Sequence, residues 1–229
     1  FNSFEKKKSI KGFENLINKI FLLKPDRNTR IILIGGGVLG DLGGFISSTL
    51  LRGVKLILVP TTLLSQADSS IGGKNGINNK FGKNLIGTFY NPNFIFIDTH
   101  FLNSLSKREL KSGYAEILKH SIIKDKKFFY WLEKYYKKII ELKEPYISKA
   151  IYKSVKIKTL IVKDDEKENK NIKNSRILLN FGHTIAHAIE SRNKYKNNLK
   201  HGEAVLIGMN YAAKISNILK YLNKNKVSK

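Results

Sequence analysis

The feature that most restricts how this chain can fold is a short apolar run at residues 31–34 that ends in three consecutive glycines, Gly35, Gly36 and Gly37. Residues 38–51 then have helical character, and a second apolar run, 55–59, is closed by Pro60. Strand, glycine turn, helix and strand in that order make a βαβ unit. Its crossover forces the two strands to run parallel and places the chain in the α/β class. Glycines between a strand and a helix let backbone N–H groups approach a phosphate, and the helix N-terminus favours the negative charge. Gly35, Gly37 and Gly40 fall as in a dinucleotide-binding turn, while Gly36 and Asp41 are additional, so the run is not a strict fingerprint. From these residues alone a nucleotide-phosphate turn and a plain tight turn both remain open.

Around this unit the sequence predicts two regimes. Ile10, Phe13, Leu16, Ile17, Ile20 and Phe21 recur at helical spacing within residues 9–23. Residues 61–93 are rich in Thr, Ser, Asn, Gly and Lys without apolar periodicity, a long irregular segment of the kind that carries function. A strand is predicted at 94–98, ending in Asp98. From Ser106 the period changes: Ser106 and Glu109 form a capping-box pattern, and helices are predicted over 107–140, 144–163, 182–192 and 202–222. Residues 163–175 read as a polar loop. The chain thus divides into an α/β half, 1–104, and a mainly helical half, 105–229, with no internal repeat.

Composition narrows the partners. The chain carries 42 Lys plus Arg against 18 Asp plus Glu, a formal net charge of +24, yet 41% of its residues are hydrophobic, which excludes a wholly disordered chain. Lys far outnumbers Arg, and the lysines spread along the sequence without a basic arm interleaved with aromatics; Lys6, Lys7, Lys8 and the tail after Lys220 come closest. No specific nucleic-acid partner is therefore expected. There is no cysteine, so disulfides, thiolate metal sites and cysteine nucleophiles are excluded. No apolar run approaches the roughly 20 residues of a membrane span. Residues 1–11 are charged and lack the apolar stretch of a secretory signal, so a cytoplasmic location and no membrane partner are expected.

Two further groups of residues could carry chemistry. Residues 68–78, from Asp68 through Gly72, Gly73 and Lys74, are followed by Gly82, Lys83 and Asn84. Two lysines and an asparagine on glycine-rich loops suit a phosphate ester, Lys as a mobile charge and Asn as a directional donor. A long surface loop of a Lys-rich protein is the alternative. The histidines are His100, His120, His183, His187 and His201. His183 and His187, four apart on a helix, have the spacing of a metal-ligand pair, but Thr184 stands where a metalloprotease needs its general-base Glu. Without cysteine, a zinc site here draws on imidazoles and carboxylates. His100 and His120 read as ordinary residues.

Taken in order, GGGVLGD (35–41), RG (52–53), PTTLLSQADSSIGGKNGIN (60–78), GKN (82–84), SGYAEILKH (112–120), DEKE (165–168), RILLNFGHTIAHAIE (176–190) and HGEAVLIGM (201–209) resemble the 3-dehydroquinate synthase family. The resemblance spans nearly the whole chain, the family being longer at both ends. It implies a Rossmann-like parallel-sheet nucleotide domain followed by a helical metal-binding domain. It also implies conversion of 3-deoxy-D-arabino-heptulosonate 7-phosphate to 3-dehydroquinate with loss of phosphate, using NAD that is regenerated in each turnover and a divalent metal, Zn²⁺ or Co²⁺. On this resemblance the metal ligands are Glu116, His183 and His201, which replaces the pairing of His183 with His187. Asp68, Lys74, Lys119 and His187 match catalytic positions. Arg52, Lys74, Asn84, Lys119, Lys158, Arg176, Asn180 and His187 match substrate positions, with Arg52 reaching across a homodimer. Glu5, Lys8, Gly35, Gly36, Gly37, Asp41, Thr61, Thr62, Lys83 and Asp98 match cofactor positions. Residues 169–175 are longer than the family's short turn there. A related sugar-phosphate cyclase, a metal-dependent polyol dehydrogenase and an inactive remnant of the family are the competing readings.

Overall fold

A computed structural model of the chain describes residues 5–168, 175–192 and 199–227. The chain divides into two compact units, Phe1–Ser104 and Leu105–Lys229. Among the described residues, no helix is long and apolar enough to cross a membrane.

In the first unit, strands β1 (Arg30–Gly35), β2 (Lys55–Pro60) and β5 (Phe94–Ile95) form a parallel sheet in the order β1-β2-β5. Helix α2 (Gly37–Thr49) is the crossover from β1 to β2, as the apolar runs and glycines predict. Helix α1 (Ile10–Phe21) is capped by Ser9, whose hydroxyl accepts from the Gly12 N–H. Leu42, Ile46 and Ile77 form a buried cluster with Phe13, Leu16, Ile17 and Ile20 of α1 packed against it. The strand expected over 94–98 is confined to its first two residues.

The segment 61–93 departs most from the sequence reading. It contains an antiparallel hairpin, β3 (Lys74–Asn79) and β4 (Gly82–Phe89), preceded by a short wide-turned helix over Ser65–Ser69. Its strands are rich in Asn, Gly and Lys, with the apolar residues Ile77, Leu85, Ile86 and Phe89 not in strict alternation, so no period-2 signal announces them. Packing holds the hairpin instead: Ile77 is buried against α2, and a Cβ at Gly44 of α2 would lie 2.0 Å from Asn75 Oδ1. Asn75 Nδ2 donates to the Gly73 and Tyr90 carbonyls, tying the two ends of the hairpin together.

The second unit is helical: α3 (Lys107–Lys124), α4 (Lys126–Ile140), α5 (Tyr146–Asp164), α6 (His183–Arg192), α7 (His201–Ile218) and the short α8 (Lys224–Val227). Ser106 and Glu109 form the expected capping box. The helix read as continuous over 107–140 is broken at Asp125, which ends α3 in extended backbone and whose carboxylate accepts from the Phe128 N–H to start α4. Side-chain periodicity runs through such a junction, which is why it was not legible. On α4 and α5, Trp131, Tyr135 and Tyr146 pack ring on ring, with Lys134, Lys138 and Lys149 over them. Lysines and aromatics meet here, and those lysines lie over rings of their own unit. Residues 169–174, the core of the expected loop, lie outside the described residues.

Two close backbone approaches set α7. A Cβ at Gly202 would lie 2.0 Å from the Ser112 carbonyl oxygen of α3, and one at Gly208 would lie 1.9 Å from the Gly182 carbonyl oxygen. Ala186, Ala204, Val205 and Met209 fill the core between α6 and α7. Gly208→Ala is expected to lower the stability of the second unit by about 1–3 kcal/mol through overpacking against backbone that cannot swing away. Urea unfolding monitored by helix signal checks this.

Candidate functional site

The second unit brings three sequence-distant side chains to one point. Helix α3 carries Glu116 on its buried face, and its carboxylate is wholly excluded from solvent, 0% exposed. Gly182, at a positive φ of 80° that only glycine adopts without strain, turns the chain so that His183 opens α6. His201 opens α7, where the Gly202 N–H donates to Ser112 Oγ at 3.0 Å, one helical turn before Glu116. Arg108 of α3 grips Glu203 of α7 through two hydrogen bonds of 2.6 and 2.7 Å, and holds that carboxyl down to about 2. The sequence reading did not find this clamp, because the partners stand far apart along the chain and neither belongs to a recognisable pair.

One ligand atom from each of Glu116, His183 and His201 lies within 4.8 Å of the others. Glu116 Oε1 is 3.3 Å from His201 Nε2 and 3.8 Å from His183 Nε2, while Glu116 Oε2 pairs with the Lys119 ammonium. Burial, with the nearby Lys119 charge, pushes His183 down to about 4, so its imidazole is neutral and its lone pair available. His201 is also penalised by burial, but hydrogen bonds to Glu116 and Glu190 outweigh it and raise the ring to about 9. Glu190 Oε1 sits 3.3 Å from His201 Nδ1, the orienting contact that metal-bound histidines characteristically have. A carboxylate and two imidazoles from three helices fit a zinc-type ion with a position left open for substrate. His187 stacks edge-on against His183, ring centroids 5.4 Å apart, but is exposed and contributes no atom to this group. The spacing of four between them therefore does not mark the ligand pair.

The other expected residues of this unit are placed as follows. Lys119 and Lys158 are buried on α3 and α5. Arg176 is also buried: its N–H donates to Asp165 Oδ2 at 2.8 Å and its Nη1 to the Glu166 carbonyl at 2.8 Å. Asn180 Nδ2 donates to Glu168 Oε1 at 2.7 Å. The acidic stretch 165–168, quoted from the sequence without a role, thus anchors Arg176 and Asn180. His120, read as ordinary, is fully buried with its Nδ1 2.7 Å from Ser154 Oγ.

The first unit presents the glycine turn. Gly36 begins α2 in extended backbone with no side chain capping the helix, which leaves its first N–H groups for an anion. Gly35, Gly36, Gly37, Asp41, Ser70 and Lys74 line a hollow beside the turn, and Asp41, Lys74 and Asn84 line a second one. A Cβ at Gly36 would press on Thr62 at 3.0 Å, and Thr61 N–H donates to the Gly35 carbonyl, so both threonines buttress the turn. The uncapped helix start and permissive glycines fit the pyrophosphate of a dinucleotide. Lys8 pairs with Asp41, and Glu5 accepts from Asn78 Nδ2. Asp68 lies in the Ser65–Ser69 turn, and Lys83 is half-buried on β4. The Asp98 carbonyl accepts from Gln66 Nε2, while its carboxyl is held below the usual range first by the His100 backbone N–H. Arg52 is exposed in left-handed backbone, φ 68°, beside Leu51 at 48°.

Comparison with known proteins is consistent across the chain. The N-terminal model of 3-dehydroquinate synthase matches residues 1–112 and the C-terminal model residues 113–229. The 3-dehydroquinate synthase of Pelagibacter ubique (strain HTCC1062) is 55% identical over 225 residues, 98% of this chain and 60% of the relative. A solved 2-deoxy-scyllo-inosose synthase complexed with carbaglucose-6-phosphate, NAD⁺ and Co²⁺ superposes with a TM-score of 0.85 at 31% identity, over 100% of this chain and 60% of that one. The 2-epi-5-epi-valiolone synthase of Streptomyces hygroscopicus subsp. jinggangensis 5008, with NAD⁺ and Zn²⁺ bound, superposes with a TM-score of 0.92 at 26% identity, over 100% of this chain and 62% of that one. The chain spans about 60% of the length of such a curated relative.

Zinc titration of the purified chain checks the ligand set. His183→Ala is expected to lose stoichiometric zinc and His187→Ala to keep it, while Glu190→Gln weakens binding by about 10–100-fold through the loosened His201 ring.

Proposed function

This chain belongs to the 3-dehydroquinate synthase family, and on that premise we propose that it converts 3-deoxy-D-arabino-heptulosonate 7-phosphate to 3-dehydroquinate and inorganic phosphate. On this reading the chain is a carbon–oxygen lyase, placed in the cytoplasm and acting as a homodimer. The observation that carries the reading is the convergence of Glu116, His183 and His201 in a chain whose whole length matches the family.

Glu116, His183 and His201 would hold the divalent cation, Zn²⁺ or Co²⁺. Gly35, Gly36, Gly37, Asp41, Thr61, Thr62, Lys83 and Asp98, with Glu5 and Lys8, would hold NAD. When bound, the cation supplies Lewis-acid polarisation of a substrate hydroxyl and the nicotinamide a hydride acceptor that is regenerated in the same turnover. The protein's own residues do the rest. Lys74 and Asn84 of the first unit bind the phosphate ester, a mobile point charge and a directional amide, with Arg52 of one subunit serving the other; Arg176 of the second unit offers the substrate a planar cation. Arg176 can do this without searching for its place, because Asp165 and Glu166 fix its backbone and one edge of its guanidinium. Lys119 balances the buried Glu116 charge and stands ready to hold a proton next to the ligand cluster. Lys158, Asn180 and His187 orient the sugar hydroxyls, and Asp68 serves as a proton-holding group.

Phosphate release by the full chain, with the heptulosonate phosphate, catalytic NAD and Zn²⁺, tests the reading. Lys74→Ala and Asn84→Ala are expected to lower kcat/KM for the phosphate ester about 10²-fold or more, Asn84→Ala chiefly by raising KM, while zinc stays bound. No release by the parent chain, or unchanged kcat/KM in both variants, overturns it.

A further inference from the structure

Asn78, in the glycine-rich hairpin, makes hydrogen bonds in two directions. Its backbone N–H donates to the Lys8 carbonyl at 2.9 Å, and its Nδ2 donates to Glu5 Oε1 at 2.7 Å. Its Oδ1 accepts the Asn84 backbone N–H at 3.0 Å. The hairpin register explains why Asn84 needs such a partner. Ile77 faces Ile86 and Asn79 faces Gly82, so Asn78 alone lies opposite Lys83, Asn84 and Leu85. β4 therefore bulges, and Asn84 sits within the bulge in left-handed backbone at φ 57°. Bulges re-aim side chains, and asparagine enters left-handed backbone more readily than most residues, so the bulge conformation suits Asn84 and the Asn78 bond adds a fixed partner to it. The next residue, Asn79, uses its own carboxamide oxygen to accept from the Phe81 and Gly82 N–H groups and close the turn. Neighbouring asparagines thus divide the work: Asn79 makes the turn and Asn78 fixes the bulge beyond it.

We propose that Asn78 is a positioning residue that holds Asn84 in its bulge and couples it to the Glu5–Lys8 segment. Asn84 lines a hollow together with Lys74 and Asp41. The same short segment places Lys8 on Asp41, so the residues assigned to the nucleotide and the residue assigned to the phosphate ester share one hydrogen-bonded frame. This rests on the reading of Asn84 as a substrate residue, and the experiment separates the two.

The test combines kinetics with amide hydrogen exchange in the ligand-free chain. Asn78→Ala is expected to raise KM for the phosphate ester about tenfold with a smaller effect on kcat, and to speed exchange of the Asn84 N–H by a similar factor while amides of the parallel sheet stay protected. In the double variant Asn78→Ala/Asn84→Ala, KM is expected to be no higher than in Asn84→Ala alone, as for residues acting through one contact. Asn78→Asp with Glu5→Gln, which keeps an oxygen for the Asn84 N–H and restores a donor and acceptor pair at residue 5, is expected to retain slow exchange there and covers the case in which the alanine variant does not fold. Unchanged exchange at Asn84 in Asn78→Ala, or KM effects that multiply in the double variant, overturns the proposal. Unchanged KM in Asn84→Ala removes the substrate reading instead, and exchange at Asn84 still decides the role of Asn78.

Discussion

A carboxylate with no access to water is the constraint around which the helical unit is arranged. Glu116 is 0% exposed, and a charge in that position survives only when other charges and donors meet it. They come from the next turn of its own helix, Lys119, and from the first residues of two other helices, His183 and His201. The arrangement is lopsided in a useful way. His201 is held protonated between Glu116 and Glu190, whereas His183 is held neutral by burial and by Lys119. A divalent cation at this point would take the place of a proton and find one imidazole already in the ligating form.

What lets the three helices come so close is the absence of side chains at a few positions. Gly202 allows the start of α7 to rest on the α3 backbone, Gly208 allows its middle to pass the Gly182 carbonyl, and Gly182 itself takes the turn before His183. In the motif HGEAV, each of the first three residues has a separate physical task. His201 faces Glu116, Gly202 permits the contact, and Glu203 locks the helix start to Lys200 and Arg108. Local stability and the site are thus the same set of contacts.

The sequence made some of this plain and hid the rest for identifiable reasons. The βαβ unit was legible because its strands are continuous apolar runs and its turn is three glycines, the pattern of a parallel sheet covered by a helix. The capping box at Ser106 was legible because it is local. The β3–β4 hairpin was not, since Asn, Gly and Lys carry no strand periodicity and the hairpin is held by Ile77, Gly44 and Asn75 acting across the fold. The ligand cluster was beyond any spacing rule. Periodicity pairs His183 with His187, but the helix that presents them turns only the first toward Glu116, 67 residues earlier in the sequence. Resemblance supplied Glu116 where spacing could not, because a motif records a tertiary arrangement that local physics does not encode. Asp165 and Glu190 act through contacts across the fold that no local pattern announces.

The central claim is that Glu116, His183 and His201 form one cation site. The most direct measurement is an anomalous difference map, at the zinc absorption edge, from a crystal of the full chain soaked in zinc. The account requires a single strong peak bonded to one carboxylate oxygen of Glu116 and to the Nε2 atoms of His183 and His201. A peak held by His183 and His187 without Glu116, or no peak among these side chains, would contradict it.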